Sequence, residues 1–259
     1  MKHIIPLLVC GMLGLASCNN ARYMPLENPQ QKAFDTFLAN KRAASYNCNN
    51  DIQRNEFYKS FETDLQTYLD TIPLFINWRG VIKDIKVNQM RNSTELSFDV
   101  FYKPEEYREI TFRCSHIIPN DSLSTDYLYL TVKNMPNYLA VYFDGYIKRK
   151  NNNEISYAGY SSDGLQVPYP KYNFNFVFIG PERSDIFTSN LKTAVNLDYK
   201  VVEALKLNYL NKITKDEADR RYNDLKPHFE AAQSALTEQE KQYSQRLRSY
   251  LVNDYLNGK

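Results

Sequence analysis

Apolar side chains recur every three or four residues in the first part of this chain, as they do on the buried face of a helix. One series is spaced four residues apart: Phe57, Phe61, Leu65 and Leu69. Upstream, Asn28 and Pro29 form a typical helix start, with Asn as the cap and Pro in the first turn. The pattern predicts a helical segment over residues 28–71, with a first helix to about Ala44 and a second that ends before Pro73.

Between residues 72 and 181 apolar and polar positions alternate, which is typical of half-buried strands. The clearest alternation runs over residues 172–179, with similar runs at 96–102, 110–114 and 138–147. Polar stretches at 88–94, 103–106 and 119–122 predict turns between them. Residues 127–132 suit either a strand or a short helix. Five or six closely spaced antiparallel strands favour a small barrel or sandwich-like barrel over 72–181.

Helical spacing returns over residues 182–259. Thr214 with Glu217, and Thr237 with Glu240, have the spacing of capping boxes and predict the starts of two helices. Pro227 is expected to kink the first of them. The predicted fold class is therefore α+β, with an antiparallel barrel preceded by helices and followed by a C-terminal helical hairpin or bundle.

Three motifs in the predicted barrel resemble the OB-fold domains of lipoproteins from Bacteroides-type bacteria. They are the opening strand with Trp78 and Gly80, the later run Asp144-Gly145-Tyr146-Ile147, and the closing run 176–179. The resemblance implies an OB-like barrel, a fold whose members bind oligonucleotides or oligosaccharides on one face. The chain departs from the pattern after the helical insert, where Met135-Pro136-Asn137 replaces a Gly-Asp turn.

The N-terminal residues have the pattern of an export signal. Lys2 precedes an apolar run over 4–15 that is too short to span a bilayer, and the run ends in Leu15-Ala16-Ser17-Cys18. That tetrad resembles a lipobox at the end of a lipoprotein signal segment (residues 1–18), which implies acylation of Cys18 and cleavage immediately before it, so that Cys18 becomes the first residue. Two or three acyl chains would hold the protein at a membrane. Residues 19–27 then form a tether, and the lack of acidic residues after Cys18 favours a periplasm-facing outer-membrane location.

Composition narrows the function classes. The net charge is +2 for the whole chain and falls to +1 when the segment containing Lys2 is removed, so the electrostatic footprint of a nucleic-acid-binding protein is missing. His116, His228 and the scattered cysteines lack the spacing of a zinc site, and the eight glycines form no phosphate-binding loop. We expect no metal, no cofactor and no nucleic-acid partner.

Two cysteines remain in the processed chain, because Cys10 leaves with the signal and Cys18 is acylated. Cys48 and Cys114 could form one disulfide in an oxidising compartment, which would stabilise the fold by about 3 to 5 kcal/mol. Alternatively, they are buried free thiols that pack as small apolar residues. The sequence leaves both alternatives open.

Candidate ligand or partner contacts are aromatic residues in and near the barrel, since such rings serve well at binding surfaces: Trp78, Tyr127, Tyr129, Tyr142 and Tyr146. For Trp78, core packing is the default alternative. Asp121-Ser122-Leu123 resembles an O-glycan acceptor of Bacteroides-type bacteria, which implies modification of Ser122.

Catalytic residues are not recognisable by spacing. Asp144 and His116 are the two side chains that an enzyme hypothesis would use, although a strand-end Asp and a structural His are the simpler interpretations. We therefore expect a noncatalytic envelope lipoprotein that binds a protein or cell-wall partner. The alternative is a glycan-binding lipoprotein that captures polysaccharide at the cell surface.

Overall fold

The computed structural model describes residues 28–105, 108–149, 155, 157–161 and 169–257. Helices precede and follow a barrel in the middle of the chain, so the α+β prediction is confirmed. The signal peptide, Cys18 and the tether over 19–27 lie outside the described residues. The elements are α1 (Pro29–Ser45), α2 (Asp51–Asp70), β1 (Phe75–Gln89), β2 (Ser93–Glu105), β3 (Arg108–Pro119), a 3-10 turn (Asn120–Ser122), α3 (Tyr127–Val132), β4 (Ala140–Ile147), β5 (Tyr157–Ser161), β6 (Tyr169–Gly180), α4 (Ser189–Tyr209), α5 (Lys215–Ser234) and α6 (Glu238–Asn257).

Five strands of the described chain close into a barrel in the order β1-β2-β3-β6-β4, and β5 pairs with β6 at its side. All pairings are antiparallel except β3 with β6, where residues 111–113 run parallel to 171–173. The expectation of a wholly antiparallel barrel is wrong at this seam. Directions cannot alternate around a ring with an odd number of strands, so one neighbouring pair must be parallel. The closed ring is consistent with a small OB-like barrel.

The predicted turn over 103–106 is also corrected by the sheet. Strand β2 continues to Glu105, because the ladder resumes after an irregularity with Glu105 opposite Arg108. The undecided segment 127–132 is the helix α3, which Asp126 caps by accepting a hydrogen bond from the backbone N–H of Tyr129. Cross-strand pairing thus decides where a strand ends when polar residues alone do not.

Two helices close the barrel from opposite ends. The ring of Phe34 in α1 lies 5.6 Å from Trp78 and 6.1 Å from Tyr172, which is near the start of β6. At the other end of β6, Tyr127 of α3 donates a hydrogen bond from Oη to the carbonyl oxygen of Ile179 (3.3 Å). The apolar interior is therefore covered at both ends, as a core of buried aromatic rings requires.

Gly145 marks the closest approach of two barrel strands. A Cβ atom placed there would lie 2.1 Å from the backbone oxygen of Asn175 in β6. The pairing of β4 with β6 shifts between Asp144 and Gly145, which is a β-bulge. Gly145 therefore permits a backbone contact that any side chain would prevent.

The C-terminal helices pack on the outside of the barrel and build a second buried cluster. Val177 and Tyr146 of the barrel lie against Leu191 and Val195 of α4 and Leu247 of α6. No helix in the described ranges is both long enough and apolar enough to cross a membrane.

The two predicted capping boxes differ in the structure. The carboxylate of Glu240 accepts a hydrogen bond from the backbone N–H of Thr237 (2.7 Å). The backbone N–H of Glu240 donates to Oγ1 of Thr237 (3.4 Å), so this capping box is complete. At the other site Thr214 Oγ1 accepts from the N–H of Glu217, whose carboxylate pairs with Arg221 instead. Helix α5 continues beyond Pro227 to Ser234.

Candidate functional site

A cleft of about 390 Å³ lies where the barrel meets α2, α4 and α6. One wall is a single face of α4 and its C-cap, because the lining residues recur at intervals of three or four positions, two of them with an adjacent neighbour: Tyr199, Val202, Glu203, Lys206, Tyr209 and Leu210. The facing wall follows the end of α2 with Leu69, Ile72 and Pro73, and Phe75 and Ile147 of the barrel form the floor. These walls make the cleft largely apolar.

A hydrogen bond links two of the elements that line the cleft. Tyr199 of α4 donates from Oη to the carbonyl oxygen of Pro73 (2.8 Å), which joins α4 to the segment after α2. Burial raises the pKa of the Tyr199 phenol, so this group stays a hydrogen-bond donor in neutral solution. The site is therefore formed in advance of any ligand.

Charged groups at the cleft come from several elements. Arg149, just after β4, pairs with Asp70 at the end of α2, with Nη1 and Oδ1 2.5 Å apart. Glu203 and Lys206 lie one turn apart on α4, and Asp254 lies near the end of α6. The cleft thus combines an apolar body with a few convergent polar groups, as small binding sites do.

Asp254 belongs to a polar network with the barrel. Its Oδ2 accepts a hydrogen bond from Nδ2 of Asn175 (2.6 Å), and the same amide donates to Oη of Tyr146 (2.9 Å). Burial raises the pKa of Asp254, although hydrogen bonds from Asn175 and Tyr146 and the charge of Lys148 oppose the shift. Burial also raises the pKa of Tyr146, and the carboxylate of Asp254 adds to that increase.

Asp144 lies beside this network and is part of the fold. It is fully buried inside β4 at the bulge, so the expectation of a strand-end or turn position is wrong. Oδ1 accepts from the backbone N–H of Asn77 (2.6 Å) and Oδ2 from Oη of Tyr243 in α6 (3.1 Å). Burial raises its pKa to about 6, with both hydrogen bonds opposing. Asp144 fastens α6 to the barrel and does not line the cleft.

Asp198 fastens α6 to α4 in the same way. Its two oxygens accept from Oγ of Ser244 and from Nε of Arg248, both at 2.6 Å. Burial raises its pKa, and the Ser244 and Arg248 contacts oppose this. The sequence carried a signal for this residue, because Asp198 lies on the same helical face as Leu191, Val195 and Val202.

His116 ties β3 to the cap of α3. Nε2 lies 2.8 Å from Oδ2 of Asp126, and the ring of Tyr250 in α6 meets the imidazole edge-on with centroids 5.7 Å apart. Burial favours the neutral form of Asp126, but the hydrogen bonds from His116 and the N–H of Tyr129 outweigh it and lower the pKa. This geometry supports the structural interpretation of the histidine.

The five aromatic candidates do not form one surface. Trp78 is fully buried and donates from Nε1 to Oε1 of Gln30 (2.7 Å), which places it in the core. Tyr127 has the guanidinium of Arg246 4.0 Å from its ring centroid, and Tyr146 is 8 % exposed and lines the cleft.

The other two aromatic candidates remain partly exposed at separate places. Tyr129 lies beneath Nζ of Lys133 (5.0 Å), and Tyr142 lies beneath the guanidinium of Arg79 (5.9 Å). Sequence reasoning therefore found one cleft residue, Tyr146. It missed the α4 wall, because that face looked like ordinary core spacing.

Both cysteines in the described part of the chain are free, so the disulfide alternative is not realised. Cys114 is buried in the middle of β3, where burial raises the pKa of its thiol to about 12. Cys48 lies in the turn between α1 and α2 and donates from Sγ to the carbonyl oxygen of Gln53 (3.8 Å). Ser122 is partly exposed in the 3-10 turn, where its Oγ donates to Asp121 (3.0 Å), and its glycosylation stays a prediction.

The outer face of β1, β2 and β3 carries a network of ion pairs. Arg113 forms a bidentate pair with the buried carboxylate of Asp99 (2.8 and 3.0 Å), and Lys171 lies 3.8 Å from the same group. Nearby, Glu109 pairs with Lys83 at 2.9 Å. Cross-strand partners already hold these charges, so this face is built for stability.

The chain matches no family model, no curated protein and no solved structure. Within the described ranges, no three His, Cys, Asp or Glu side chains lie close enough to hold a metal ion. The geometry of the cleft is therefore the basis for assigning a function to this chain.

Proposed function

We propose that this chain is a noncatalytic, lipid-anchored envelope protein that binds a protein or cell-wall partner in the cleft between its OB-like domain and its C-terminal helices. The observation that carries the proposal is the cleft itself, with its apolar walls and convergent polar groups. Its cross-wall hydrogen bond from Tyr199 to Pro73 lowers the ordering cost of binding.

The side chains that an enzyme hypothesis would use lie outside the cleft, which supports a noncatalytic role. Asp144, Asp198 and the pair of His116 with Asp126 each join two elements of the fold. A general acid or base must instead reach a bound substrate. Their hydrogen bonds thus serve to hold the helices against the barrel.

The proposed anchor would place the cleft close to a membrane. At the start of α1, Asn28 donates from Nδ2 to the carbonyl oxygen of Ile76 (2.7 Å), and Gln30 donates to that of Leu74 (3.2 Å). The two acceptor residues, Leu74 and Ile76, are sequence neighbours of Pro73 and Phe75, which line the cleft. Asn28 follows Cys18 by ten positions, with nine residues between them, and a fully extended chain of ten steps spans at most about 35 Å. We place the protein on the periplasmic face of the outer membrane.

The geometry of the five aromatic candidates, none of which is fully exposed, favours this function over polysaccharide capture at the cell surface. Capture of glycans calls for exposed rings as stacking platforms, whereas Trp78 and Tyr146 are buried. Tyr127 is only partly exposed, and the guanidinium of Arg246 lies over its ring.

In-cell photo-cross-linking tests the binding role. A photoreactive residue replaces Glu203, which is exposed at the cleft, and a matched control replaces Arg91, which is exposed in the β1–β2 turn. We expect one partner adduct from position 203 that disappears when Val202→Trp fills the cleft. Equal adducts from both positions, or adducts that persist with Val202→Trp, would contradict the proposal.

Fractionation of cells tests the anchor separately. The Cys18→Ala chain cannot be acylated at that position, so we expect it in the soluble fraction while the unaltered chain stays with the membrane. A variant that remained membrane-bound would exclude the lipid anchor and leave the cleft argument intact.

A further inference from the structure

We propose that the cleft receives an aliphatic chain that ends in a cationic nitrogen, as presented by a lysine or arginine side chain of a partner polypeptide. This inference rests on the proposed function, because it names the ligand chemistry of the same cleft. Two features of the cleft support it: its apolar lining residues and the charged residues beside them.

The walls suit the stem of such a side chain. Val202 and Leu251 face Leu69 and Ile72 across the cleft, and Phe75 closes the floor. Methylene groups gain free energy by leaving water along such surfaces, while a terminal charge must still reach a polar partner. A ligand with an apolar stem and a single polar head satisfies both requirements.

The lining charges favour a cationic head. Three carboxylates line the cleft, those of Asp70, Glu203 and Asp254, against two cations, Arg149 and Lys206. The pairing of Asp70 with Arg149 neutralises one carboxylate and one cation. The remaining lining groups sum to one negative charge. Lys148 does not line the cleft and donates from Nζ to the carbonyl oxygen of Ser115 (3.1 Å). Its charge lowers the pKa of Asp254 but does not outweigh burial, so that pKa stays raised.

Asp254 is the group that we assign to the cationic head. A carboxylate offers about four acceptor positions, and the hydrogen bonds from Asn175 and Tyr146 occupy two of them. Burial makes the negative charge of this carboxylate costly, and the pKa of Asp254 is raised even though these hydrogen bonds lower it. A ligand ammonium or guanidinium would offset that cost through a charge-assisted hydrogen bond.

Three ligands with the same eight-carbon chain test the inference: n-octylamine, n-octanol and n-octanoate. Calorimetric titration uses the chain from residue 18 with Cys18→Ala, so that no attached acyl chain competes for the cleft. We expect octylamine to bind best and octanoate worst, with a ratio of at least tenfold between them. Val202→Trp should reduce binding of all three.

Two charge-removing variants on the same helix provide the matched comparison. Asp254→Asn should weaken octylamine binding on the order of tenfold, as loss of a charge-assisted hydrogen bond predicts, and should leave octanol unchanged. Glu238→Gln removes the same charge from an exposed position 16 residues earlier in α6, roughly 24 Å along the helix, and should change neither.

The outcomes separate the two proposals. If octanoate binds as tightly as octylamine, or if Asp254→Asn behaves like Glu238→Gln, the cationic ligand is excluded while the cleft remains a binding site. If none of the three compounds binds, the cleft itself fails as the site and the proposed function fails with it. A urea titration of Asp254→Asn confirms that the variant is folded before its affinities are compared.

Discussion

The buried carboxyl group of Asp144 should make this protein more stable at mildly acidic pH than at neutral pH. Burial raises its pKa from 3.8 to about 6, despite hydrogen bonds from the N–H of Asn77 and Oη of Tyr243. The native state therefore holds this proton more tightly than the unfolded chain does. Between these two pKa values, the free energy of unfolding falls as the pH rises.

The size of the effect follows from the two pKa values. The interval from 3.8 to about 6 corresponds to roughly 3 kcal/mol at 1.36 kcal/mol for each pKa unit. This contribution is fully present below pH 3.8 and is lost by a pH somewhat above 6. It is a large fraction of the 5 to 15 kcal/mol that typically stabilises a domain.

Asp144→Asn isolates this contribution. The amide keeps an oxygen for the N–H of Asn77 and presents an NH₂ group to Oη of Tyr243, but it cannot ionise. Urea unfolding of both proteins from pH 4 to pH 7.5 gives the difference in unfolding free energy. The other acids titrate in both proteins, so their contributions cancel. We expect the difference to shift by about 2 to 3 kcal/mol in favour of the variant between pH 4 and pH 7.5.

A second variant, which removes an exposed carboxylate, serves as the control for Asp144→Asn. Asp121→Asn removes an exposed carboxylate in the 3-10 turn and should leave the pH profile parallel to that of the unaltered protein. If the profiles of Asp144→Asn and the unaltered protein are also parallel from pH 4 to 7.5, the carboxyl is not desolvated as the structure implies. The fastening of α6 through Asp144 would then need another explanation.

Further predictions concern the thiols, the barrel plug and the outer ion pairs. Without reductant, a thiol reagent should modify Cys48 in the native protein and both Cys48 and Cys114 in the unfolded protein, as mass spectrometry would show. If neither cysteine reacts in the unfolded protein, the two form a disulfide. Phe34→Ala should lower the free energy of unfolding by about 3 to 5 kcal/mol in urea titrations, because it empties the space beside Trp78; a loss below 1 kcal/mol would contradict tight packing at this end. Arg113→Ala should cost about 1 to 3 kcal/mol because it removes the bidentate partner of buried Asp99; the same titration would refute this if it showed no change.

Local patterns were sufficient for most of the elements. The cap at Asn28, the capping box at Thr237 and Glu240, and the alternation over 172–179 depend on neighbours a few residues apart, and each lies where it was predicted. The candidate site was less accessible to such reasoning. Tyr146 was singled out, whereas Tyr199 and Asp254 were not, because their significance arises from contacts across more than 70 residues.

By itself the sequence determined the class of most segments, because periodicity and capping act within one or two turns of chain. The tertiary structure alone decided the parallel seam between β3 and β6, which follows from closing an odd number of strands into a ring. It also decided which polar groups are buried. Asp144 and Asp254 resemble any surface carboxylate in the sequence, and packing of α6 against the barrel removes them from water. The cleft exists for the same reason, since its walls belong to elements that only the folded chain brings together.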